Sequence, residues 1–303
     1  MLVLDAQSTR ARLPYIELAD CLRQVLRDRE TGVAQAPPRN IVPLYGGGTL
    51  LVMPAADHEI AITKLVTVHP SNHTFNLPSI LAEVIVMNVK TGERLFMLDG
   101  ATVTAHRTAA LSLLAAKTLA ADTKGPLLIV GAGVQGRAHL EAFVAGLGVT
   151  HVFITSRTPH KSEALAAYAR TLGVMASAVE SAELVLPSAS LIVTGTTSKT
   201  PVMSAAVRPD AFIAAVGAYN HHMAELPPEL VRNASLYVDS MEGAQAEAGD
   251  LLQANVDWSQ VTPLAQALAN PPPRSTQPVV FKSVGHALWD LAAARLVVRS
   301  KYV

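Results

Sequence analysis

The spacing of apolar residues divides the first third of the chain into one helix and a group of strands. From Pro14 to about Arg29, apolar side chains recur at helical spacing, and Gly32 with Pro37-Pro38 ends this predicted helix. Short β-rich runs separated by turn residues follow at 41–45, 49–54, 59–68, 81–89 and 94–98. Such runs with glycine-containing turns are typical of an antiparallel meander, which we therefore predict here.

The rest of the chain alternates between helical segments and apolar strands. An alanine-rich stretch, 101–121, predicts a long helix that breaks at Gly125-Pro126, before a strand that begins at Leu127. Further apolar strands are predicted at 150–156, 190–194, 211–216 and 235–238. This alternation predicts a doubly wound parallel sheet with helices on its faces.

The predicted fold class is therefore α/β, with a doubly wound parallel Rossmann domain and a smaller α+β domain. The Rossmann domain is expected at 115–274 and the smaller domain at 1–114. The proline-rich segment 270–278 is unsuited to a helix or a central strand and predicts a crossing segment. Residues 275–303, with a last helix at about 285–299, are expected to complete the smaller domain.

The most informative motif is LLIVGAGVQGRAHLEAF at 127–143, where an apolar strand leads through three glycines into a helix. Gly131 permits a tight turn, Gly133 leaves room for a pyrophosphate, and Gly136 lets the helix pack closely on the strand. The helix N-terminus adds partial positive charge for the phosphates. The residues of this turn predicted to bind a dinucleotide are Gly131, Gly133, Val134, Gln135 and Gly136. A glycine-rich surface turn is the alternative interpretation.

The end of the second strand of this domain indicates which dinucleotide is bound. A carboxylate roughly 20 residues past the glycines would hydrogen-bond the ribose hydroxyls of NAD. This chain has instead Ser156, Arg157 and Thr158, and a guanidinium with two hydroxyls suits a 2′-phosphate. We therefore expect NADPH as the cofactor, with NADH as a weaker alternative. Arg157 could also be an ordinary solvated surface charge.

Further cofactor contacts are expected beyond the carboxyl ends of other strands, because ligands bind there in parallel sheets. Hydroxyl-rich residues follow the strand at 190–194, and another strand ends at Val216-Gly217. The residues predicted to bind the cofactor here are Thr194, Thr196, Val216, Gly217 and Ser283, with Thr197 and Ser198 beside them. Turn formation by the Ser and Thr side chains is the alternative.

Composition and charge restrict the possible partners. Apolar residues make up 50% of the 303 residues, which is ample for a core, and 24 basic side chains balance 24 acidic ones. We therefore expect a small-molecule partner and neither nucleic acid nor an anionic membrane. No apolar stretch predicts a membrane span or a signal segment, so we expect a cytoplasmic protein. The single cysteine, Cys21, excludes an intrachain disulfide and is expected to be a buried thiol.

Three cations border apolar elements of the smaller domain, namely Arg39, Lys64 and Arg107. Lys64 lies within the run AITKLVTV, where an ammonium group must either reach water or find a buried anion. A substrate carboxylate is such an anion, and the three cations could converge on it. Taken singly, each could also be a solvated or salt-bridged surface residue.

Five segments together resemble the ornithine cyclodeaminase and mu-crystallin family along nearly the whole chain. They are ITKLVTVHPSN, LDGATVTAHRTAALSLLAAK, LLIVGAGVQGRAHLEAF, VTGTTSKTPV and VFKSVGHALWDLAAA. The resemblance implies that Arg39, Lys64 and Arg107 bind the substrate carboxylate, with the nicotinamide above the α-carbon. It also implies a homodimer joined through the N-terminal sheets.

That family contains ornithine-cyclising lyases, imine reductases, amino-acid dehydrogenases and a thyroid-hormone binder, so the fold alone does not give the activity. Where the cyclodeaminases carry an acidic residue, this chain has Tyr219, within VGAYNHHMAEL. A phenol is neutral at pH 7 and is a poor base for cyclisation, although Tyr219 could instead pack near the nicotinamide. The resemblance then favours NADPH-dependent reduction of Δ1-pyrroline-2-carboxylate to L-proline by hydride transfer to C2.

Other activities and substrates stay open at this point. One methylene is worth only about 1–3 kcal/mol in an apolar pocket, so Δ1-piperideine-2-carboxylate, which would give L-pipecolate, is a second candidate substrate. The alternatives are an ornithine cyclodeaminase with bound NAD, an acyclic amino-acid dehydrogenase, and a mu-crystallin-like protein that binds NADPH and a ligand without turnover.

The residues predicted to act in catalysis are Lys64, Arg107, Tyr219 and Asp290. The proton for the imine could come from solvent or from His73, His286 or Asp290. Asp290 could equally be a helix-surface charge or the ion-pair partner of Lys282 or Arg295. His221-His222 lack further residues at metal-ligand spacing, so no metal is expected.

Overall fold

The computed structural model describes residues 1–300, which form two compact units. The first unit comprises residues 1–107 and the described residues from His286 onward, and the second comprises residues 108–285. Each unit is built on one sheet, with six strands in the first and eight in the second. No helix among the described residues is long and apolar enough to cross a membrane.

The sheet of the first unit is largely the predicted meander. Its strands are β1 (Leu2–Leu4), β2 (Asn40–Pro43), β3 (Thr49–Ala56), β4 (Ile60–Val68), β5 (Ile80–Asn88) and β6 (Arg94–Asp99). The order is β1-β6-β5-β4-β3-β2, in which neighbours from β2 to β6 are antiparallel and β1 pairs in parallel with β6. The helices of this part of the chain are α1 (Ala6–Ala11), α2 (Tyr15–Glu30) and α3 (Gly100–Leu119), the last of which continues into the second unit.

The strand β4 shows how side-chain alternation positions a charged group inside this unit. Ile60, Ile62 and Val66 are buried, and the residues that alternate with them are partly exposed. Successive side chains of a strand point to opposite faces, so Lys64 shares the buried face with these apolar residues. The sequence therefore forces an ammonium group into the interior of the first unit.

The second unit has the predicted doubly wound architecture, which confirms the α/β fold class. Its strands are β7 (Leu127–Val130), β8 (His151–Thr155), β9 (Met175–Ala178), β10 (Leu191–Thr194), β11 (Phe212–Ala215), β12 (Ser235–Val238), β13 (Val261–Pro263) and β14 (Val279–Lys282). They are all parallel, in the order β13-β12-β14-β11-β10-β7-β8-β9. The helices are α4 (Val134–Leu147), α5 (Pro159–Thr171), α6 (Pro228–Arg232), α7 (Met241–Glu247), α8 (Gly249–Gln253) and α9 (Leu264–Ala269).

The position of β14 corrects the domain boundary expected between residues 274 and 275. This strand is hydrogen-bonded between β11 and β12, and all four of its residues are buried. Residues 275–285 therefore belong to the second unit and do not complete the first. The proline-rich segment 270–278 leads into the parallel sheet, and the change of unit comes only at His286.

The last helix, α10 (Ala287–Arg299), packs in the first unit against α2, β3 and β4, as predicted. The elements that the sequence pattern does not reveal are β1, α1, β9 and β13, each of three to six residues, together with β14. β1, β9 and β13 are edge strands with one buried residue each, so they lack the continuous apolar run that marks the central strands. 3-10 helices occur at Pro70–Phe75, Ala182–Leu184 and Trp258–Gln260.

Candidate active site

A buried cluster of opposite charges lies inside the first unit, where β4, α3 and α10 meet. The Lys64 ammonium donates to Thr104 Oγ1 at 2.6 Å and to the Asp290 carboxylate at 3.2 and 3.4 Å. Arg107 Nε lies 3.4 Å from the same carboxylate. The exposed fractions are 3% for Lys64, 6% for Arg107 and 0% for Asp290, so solvent screens these interactions little.

The partner of Asp290 differs from both alternatives considered from the sequence. Asp290 is not a helix-surface charge, because it is fully buried in the first turn of α10. Lys282 pairs instead with Asp250 at 2.8 Å, and Arg295 contacts Asp57 and Asp28. The anion that compensates Lys64 is therefore a side chain of this protein, whereas the sequence analysis assigned that role to a substrate carboxylate alone.

The surroundings of Lys64 lower its pKa to about 8 from the ordinary value of 10.5. Burial is the largest cause, and the positive charges of Arg107 and Arg39 add to it. The Asp290 carboxylate opposes the shift, which keeps the ammonium form populated at neutral pH. Arg39, which is half-buried just before β2, has a smaller effect on this pKa than Arg107 has.

The cluster has chemistry suited to a bound anion. Asp290 carries one negative charge against the two positive charges of Lys64 and Arg107, so positive charge is in excess within this buried cluster. A guanidinium and an ammonium group present several donors to a carboxylate, and burial strengthens such bonds. Thr104, on the same helix face as Arg107, fixes the Lys64 ammonium and has no distinctive sequence signal.

The glycine turn between β7 and α4 has the geometry of a dinucleotide cradle. Gly131 has φ +116°, and a Cβ there would lie 2.6 Å from the carbonyl oxygen of Gly195. A Cβ on Gly136 would lie 2.0 Å from the carbonyl oxygen of Gly131, which explains the close approach of helix and strand. A Cβ on Gly133, by contrast, would meet no atom within 4 Å, so this position is open.

The residues between these glycines also fit a bound dinucleotide. Val134 is 71% exposed at the first position of α4, where backbone N–H groups lack partners in the helix. The Gln135 Oε1 atom is buried and has no hydrogen-bond partner among residues 1–300. A cofactor with phosphates and hydroxyl donors would satisfy both features, so the residues present fit such a group.

The residues predicted to choose the dinucleotide lie just after β8. Arg157 is exposed, while Ser156 and Thr158 are half-buried. The Ser156 hydroxyl donates to the Thr158 carbonyl and also pairs with Ser162. Arg157 is the only one of these three residues that is exposed, so it is the most accessible to a ligand.

The sequence analysis overlooked the carboxylate of Glu225, which contacts the loops after β10 and β11. It accepts the Thr194 hydroxyl at 3.0 Å and the backbone N–H groups of Thr196 and Gly217 at 2.6 and 2.7 Å. Thr194 is fully buried, so its hydroxyl serves this contact, and the Val216 side chain is 9% exposed. The sequence signal that could have revealed Glu225 is an acidic residue within the apolar segment MAEL.

A second overlooked carboxylate, Asp239, organises the segment that contains Ser283. Its Oδ2 atom accepts the Ser283 hydroxyl at 2.8 Å and the Gly285 N–H at 3.0 Å. Ser283 is 3% exposed, and its hydroxyl serves this internal bond. The expected cofactor contacts of Ser283 and Thr194 are therefore limited by bonds that their side chains already make.

Tyr219 lies in the loop after β11 and is 45% exposed. It lines a cavity of about 370 Å³ together with Thr197, Lys199, Asn220, His222 and Met223. These residues come from the loops after β10 and β11, which is the edge where ligands bind in parallel sheets. Tyr219 is therefore accessible to a ligand of the second unit and is not a core aromatic.

The remaining histidine candidates have local structural partners. The His73 Nδ1 atom lies 3.0 Å from the Pro70 carbonyl in an exposed 3-10 turn, and the His286 side chain caps α10 by accepting the Leu288 N–H. His221 and His222 face each other with ring centroids 3.8 Å apart. Within the part of the chain that the structure describes, no three His, Cys, Asp or Glu side chains form a group that could hold a metal ion.

Comparison with known proteins places this chain among enzymes that act on imino acids. It is 40% identical over 294 residues to Δ1-pyrroline-2-carboxylate reductase 1 of Burkholderia multivorans, covering 97% of this chain and 94% of that protein. It is 38% identical to the Δ1-pyrroline-2-carboxylate/Δ1-piperideine-2-carboxylate reductase of Azospirillum brasilense, covering 97% and 94% of the two chains.

A solved structure has the same fold over the whole chain. This is the Δ1-pyrroline-2-carboxylate reductase of Thermococcus litoralis in complex with NADH and L-proline, with a TM-score of 0.91 and 29% sequence identity. The match covers 100% of this chain and 98% of that chain. The sequence profile of the ornithine cyclodeaminase/mu-crystallin family also matches residues 1–302. The charge cluster, the dinucleotide cradle and these similarities together establish that the chain belongs to the ornithine cyclodeaminase/mu-crystallin family.

Proposed function

We propose that this protein reduces the cyclic imine Δ1-pyrroline-2-carboxylate to L-proline with a nicotinamide cofactor as hydride donor. The observation that carries the proposal is the buried group of Lys64, Arg107 and Asp290, which provides a positively charged site in a chain that also has a dinucleotide cradle. The similarity to reductases of this substrate from two bacteria supports the same activity.

The first task of the chain's residues is to bind and orient the substrate carboxylate. Arg39, Lys64 and Arg107 supply the donors, and Asp290 keeps Lys64 and Arg107 in place when no substrate is bound. Anchoring the carboxylate fixes the position of the adjacent C2 atom, so that one face of the imine is presented to the cofactor. Positioning of this kind supplies a large part of the rate acceleration.

The second task is to protonate the imine nitrogen, since a cationic imine accepts hydride more readily than a neutral one. Lys64 holds a proton at Nζ at neutral pH and, with a pKa of about 8, can release it at modest cost. The Asp290 carboxylate stabilises the ammonium form of Lys64 before transfer. When bound, the nicotinamide supplies the hydride that is delivered to C2.

The chemistry of the site does not require a five-membered ring. The carboxylate and the imine carbon are common to Δ1-pyrroline-2-carboxylate and Δ1-piperideine-2-carboxylate, and the extra methylene changes binding by only about 1–3 kcal/mol. The similarity to the Azospirillum enzyme, whose name includes both substrates, supports turnover of both rings. We propose L-pipecolate as the product of the larger ring.

We also propose that NADPH is preferred over NADH. The support is the exposed Arg157 at the end of β8, where no carboxylate is present to bind the ribose hydroxyls of NAD. An Arg157→Asp exchange is expected to move the ratio of kcat/KM for NADPH to that for NADH towards NADH by about tenfold or more. An unchanged ratio in steady-state assays would rule out Arg157 as the residue that selects the cofactor.

We further propose a homodimer joined through the sheets of the first units. Exposed apolar side chains gather at one end of this sheet, where Pro43, Thr49, Val68 and Ile80 are register neighbours. This N-terminal apolar patch consists of Ile41, Val42, Tyr45, Phe75, Leu77, Ile80 and Leu81. Exposed apolar side chains grouped at one end of a sheet support an interface there.

The activity is tested by following NADPH absorbance with freshly generated Δ1-pyrroline-2-carboxylate, beside an ammonia-release assay on L-ornithine with NAD. We expect rapid NADPH oxidation with L-proline as product and no ammonia. Ammonia and proline from ornithine without net cofactor change would instead identify a cyclodeaminase and contradict the interpretation of Tyr219. Binding of NADPH without turnover of either imine would identify a ligand-binding protein, and ammonia-dependent reduction of an oxo acid would identify a dehydrogenase.

A further inference from the structure

The feature that the proposed reaction does not yet use is the buried carboxylate of Glu225. Its Oε1 atom accepts the N–H of Thr196, in the loop after β10, at 2.6 Å. Its Oε2 atom accepts the N–H groups of Gly217 and Ala218, in the loop after β11, at 2.7 and 3.3 Å. The same oxygen accepts the hydroxyl of Thr194 at 3.0 Å. One side chain with 0% exposure thus links two loops that are far apart in the sequence.

The backbone of Glu225 is itself held by a second buried acid. Asp250 Oδ1, on α8, accepts the N–H groups of Glu225 and Leu226 at 2.6 and 2.9 Å. Asp250 Oδ2 lies 2.8 Å from the ammonium nitrogen of Lys282, the last residue of β14, and both side chains are fully buried. The backbone at Glu225, near the end of the loop after β11, is therefore held by α8 and, through Lys282, by the sheet.

The form of Glu225 that suits this site is the carboxylate. Burial raises its pKa and the nearby charge of Asp250 adds to this, whereas Lys282 and the donors of Thr196 lower it. Three of its four partners are backbone N–H groups, which can only donate, so a protonated or amide group would place a donor against a donor. The carboxylate satisfies all of them at once.

The two loops lie on a definite side of the cofactor cradle. In the sheet order, β10 and β11 follow β7 on the side opposite to β8, which carries Arg157 at its end. A dinucleotide that spans this switch point with its adenosine half towards β8 has its nicotinamide half towards the loops after β10 and β11. Glycine is also required at 217, because a Cβ there would lie 2.2 Å from the Thr196 carbonyl oxygen.

We propose that Glu225 is a positioning residue for the nicotinamide half of the cofactor, acting through the backbone of the Thr196 and Gly217 loops. The proposal rests on the proposed function for the identity of the cofactor. Glu225 is inaccessible to ligand, so it orders in advance the backbone that faces the nicotinamide ribose and ring. The adenosine half, held by the glycine turn and the end of β8, does not depend on it.

The test compares Glu225→Gln with Glu229→Gln, the same chemical change at an exposed position of α6. Dissociation constants are measured by calorimetry for NADPH and for adenosine 2′,5′-bisphosphate, a probe of the adenosine half. For Glu225→Gln we expect about tenfold weaker NADPH binding, equivalent to ~1.4 kcal/mol, and unchanged binding of the probe. Glu229→Gln should leave both constants at their wild-type values.

Steady-state kinetics distinguish a positioning role of Glu225 from a purely structural one. Simple destabilisation lowers kcat and lowers the number of binding sites that calorimetry finds. It leaves the dissociation constants of the folded fraction unchanged. We expect instead that KM for NADPH rises in Glu225→Gln while KM for the imine acid changes little. Equal weakening of NADPH and the probe, or a loss of sites with unchanged constants, would overturn the proposal.

A milder variant covers the case in which Glu225→Gln does not fold. Thr194→Val removes one donor to Glu225 and preserves the shape of a side chain that has 0% exposure. It should weaken NADPH binding by about threefold without affecting the probe, and unchanged NADPH binding would count against the proposal. If wild-type protein prefers NADH, the same comparison uses NADH and ADP.

Absence of imine reduction by wild-type protein would contradict the proposed function only, since the binding comparison needs no substrate.

Discussion

At the residue scale, the decisive feature is a lysine that the strand pattern forces into the interior. Alternation along β4 turns Lys64 to the same face as Ile62 and Val66, and Asp290 on α10 compensates its charge. An isolated buried ammonium would cost several kcal/mol, and pairing with Asp290 offsets part of this cost. The arrangement leads to two predictions about Lys64.

The first prediction concerns removal of the charge. Lys64→Met is expected to weaken binding of the imine acid by about 10- to 100-fold, because a charged hydrogen bond to a carboxylate is worth ~1.5–3 kcal/mol. NADPH binding should stay within about twofold of wild type, since the cradle lies in the second unit. Steady-state kinetics and calorimetry measure the two effects. Lys90→Met, at an exposed turn, is the matched control, and retained imine activity in Lys64→Met would exclude Lys64 from the site.

The second prediction concerns pH. The folded pKa of Lys64 is about 8, below the ordinary 10.5, so the folded state loses this proton first as pH rises. Affinity for a carboxylate should therefore fall above about pH 8. Cyclopentanecarboxylate is a suitable competitive ligand, because its own group ionises well below this range. Its inhibition constant should show a break near pH 8 in wild type, and persistence of that break in Lys64→Met would assign it to another group.

The same shift has an opposite effect on stability. Between about pH 8 and 10.5 the unfolded state binds more protons at Lys64 than the folded state does. The contribution of this residue to the free energy of unfolding therefore rises with pH across that window, as the cost of burying the ammonium is relieved. Ligand affinity and this stability contribution should thus change in opposite directions.

At the scale of elements, the glycine turn shows that three similar residues have different physical roles. Gly136 is required for packing, because a Cβ there would lie 2.0 Å from the Gly131 carbonyl oxygen. Gly133 has φ −92°, which other residues adopt, and a Cβ there would enter open space. Packing thus explains Gly136 but does not explain Gly133, for which we propose the approach of a ligand to the backbone.

The different roles of Gly136 and Gly133 predict different effects of an alanine substitution at each position. Gly136→Ala should lower the free energy of unfolding by ~2 kcal/mol or more, because backbone must move to admit the methyl group. Gly133→Ala should leave stability within ~0.5 kcal/mol of wild type but weaken NADPH binding by about tenfold. Chemical denaturation and calorimetry distinguish the two. Wild-type NADPH affinity in Gly133→Ala would contradict the assignment of this turn to the cofactor.

At the scale of the whole molecule, the N-terminal apolar patch determines the expected assembly. Tyr45 is fully exposed and Phe75 is 71% exposed, at the same end of the sheet of the first unit. Stable interfaces bury roughly 800 Å² on each partner. A patch of seven apolar residues can provide a large part of that area. The proposed dimer would cover side chains that otherwise face water.

The assembly prediction is tested by light scattering coupled to gel filtration. Wild-type protein should have the mass of two chains, and Ile41→Asp should shift the mass towards one chain, because a buried unpaired carboxylate destabilises an interface. Leu184→Asp, at another exposed apolar residue in the second unit, should not change the mass. A monomeric wild-type protein would rule out this use of the patch.

The sequence alone determined the α/β class, the meander and the glycine turn, because each depends on residues that are neighbours along the chain. Periods of two and of 3.6 residues are local, and so are the glycines between β7 and α4. The same local pattern singled out Lys64 as a charge inside an apolar strand. The family also followed from contiguous motifs.

Only the tertiary structure decided which charges meet. Lys64 and Asp290 are 226 positions apart, and no local pattern distinguishes Lys282 from Lys64 as the partner of Asp290. Glu225 joins Thr194 and Gly217 for the same reason, since sheet order brings the ends of β10 and β11 together. β14 was not predicted, although it is as long as β7, β10, β11 and β12, and only the sheet order shows its place between β11 and β12. Local spacing fixes elements, whereas pairing of distant charges depends on how those elements pack.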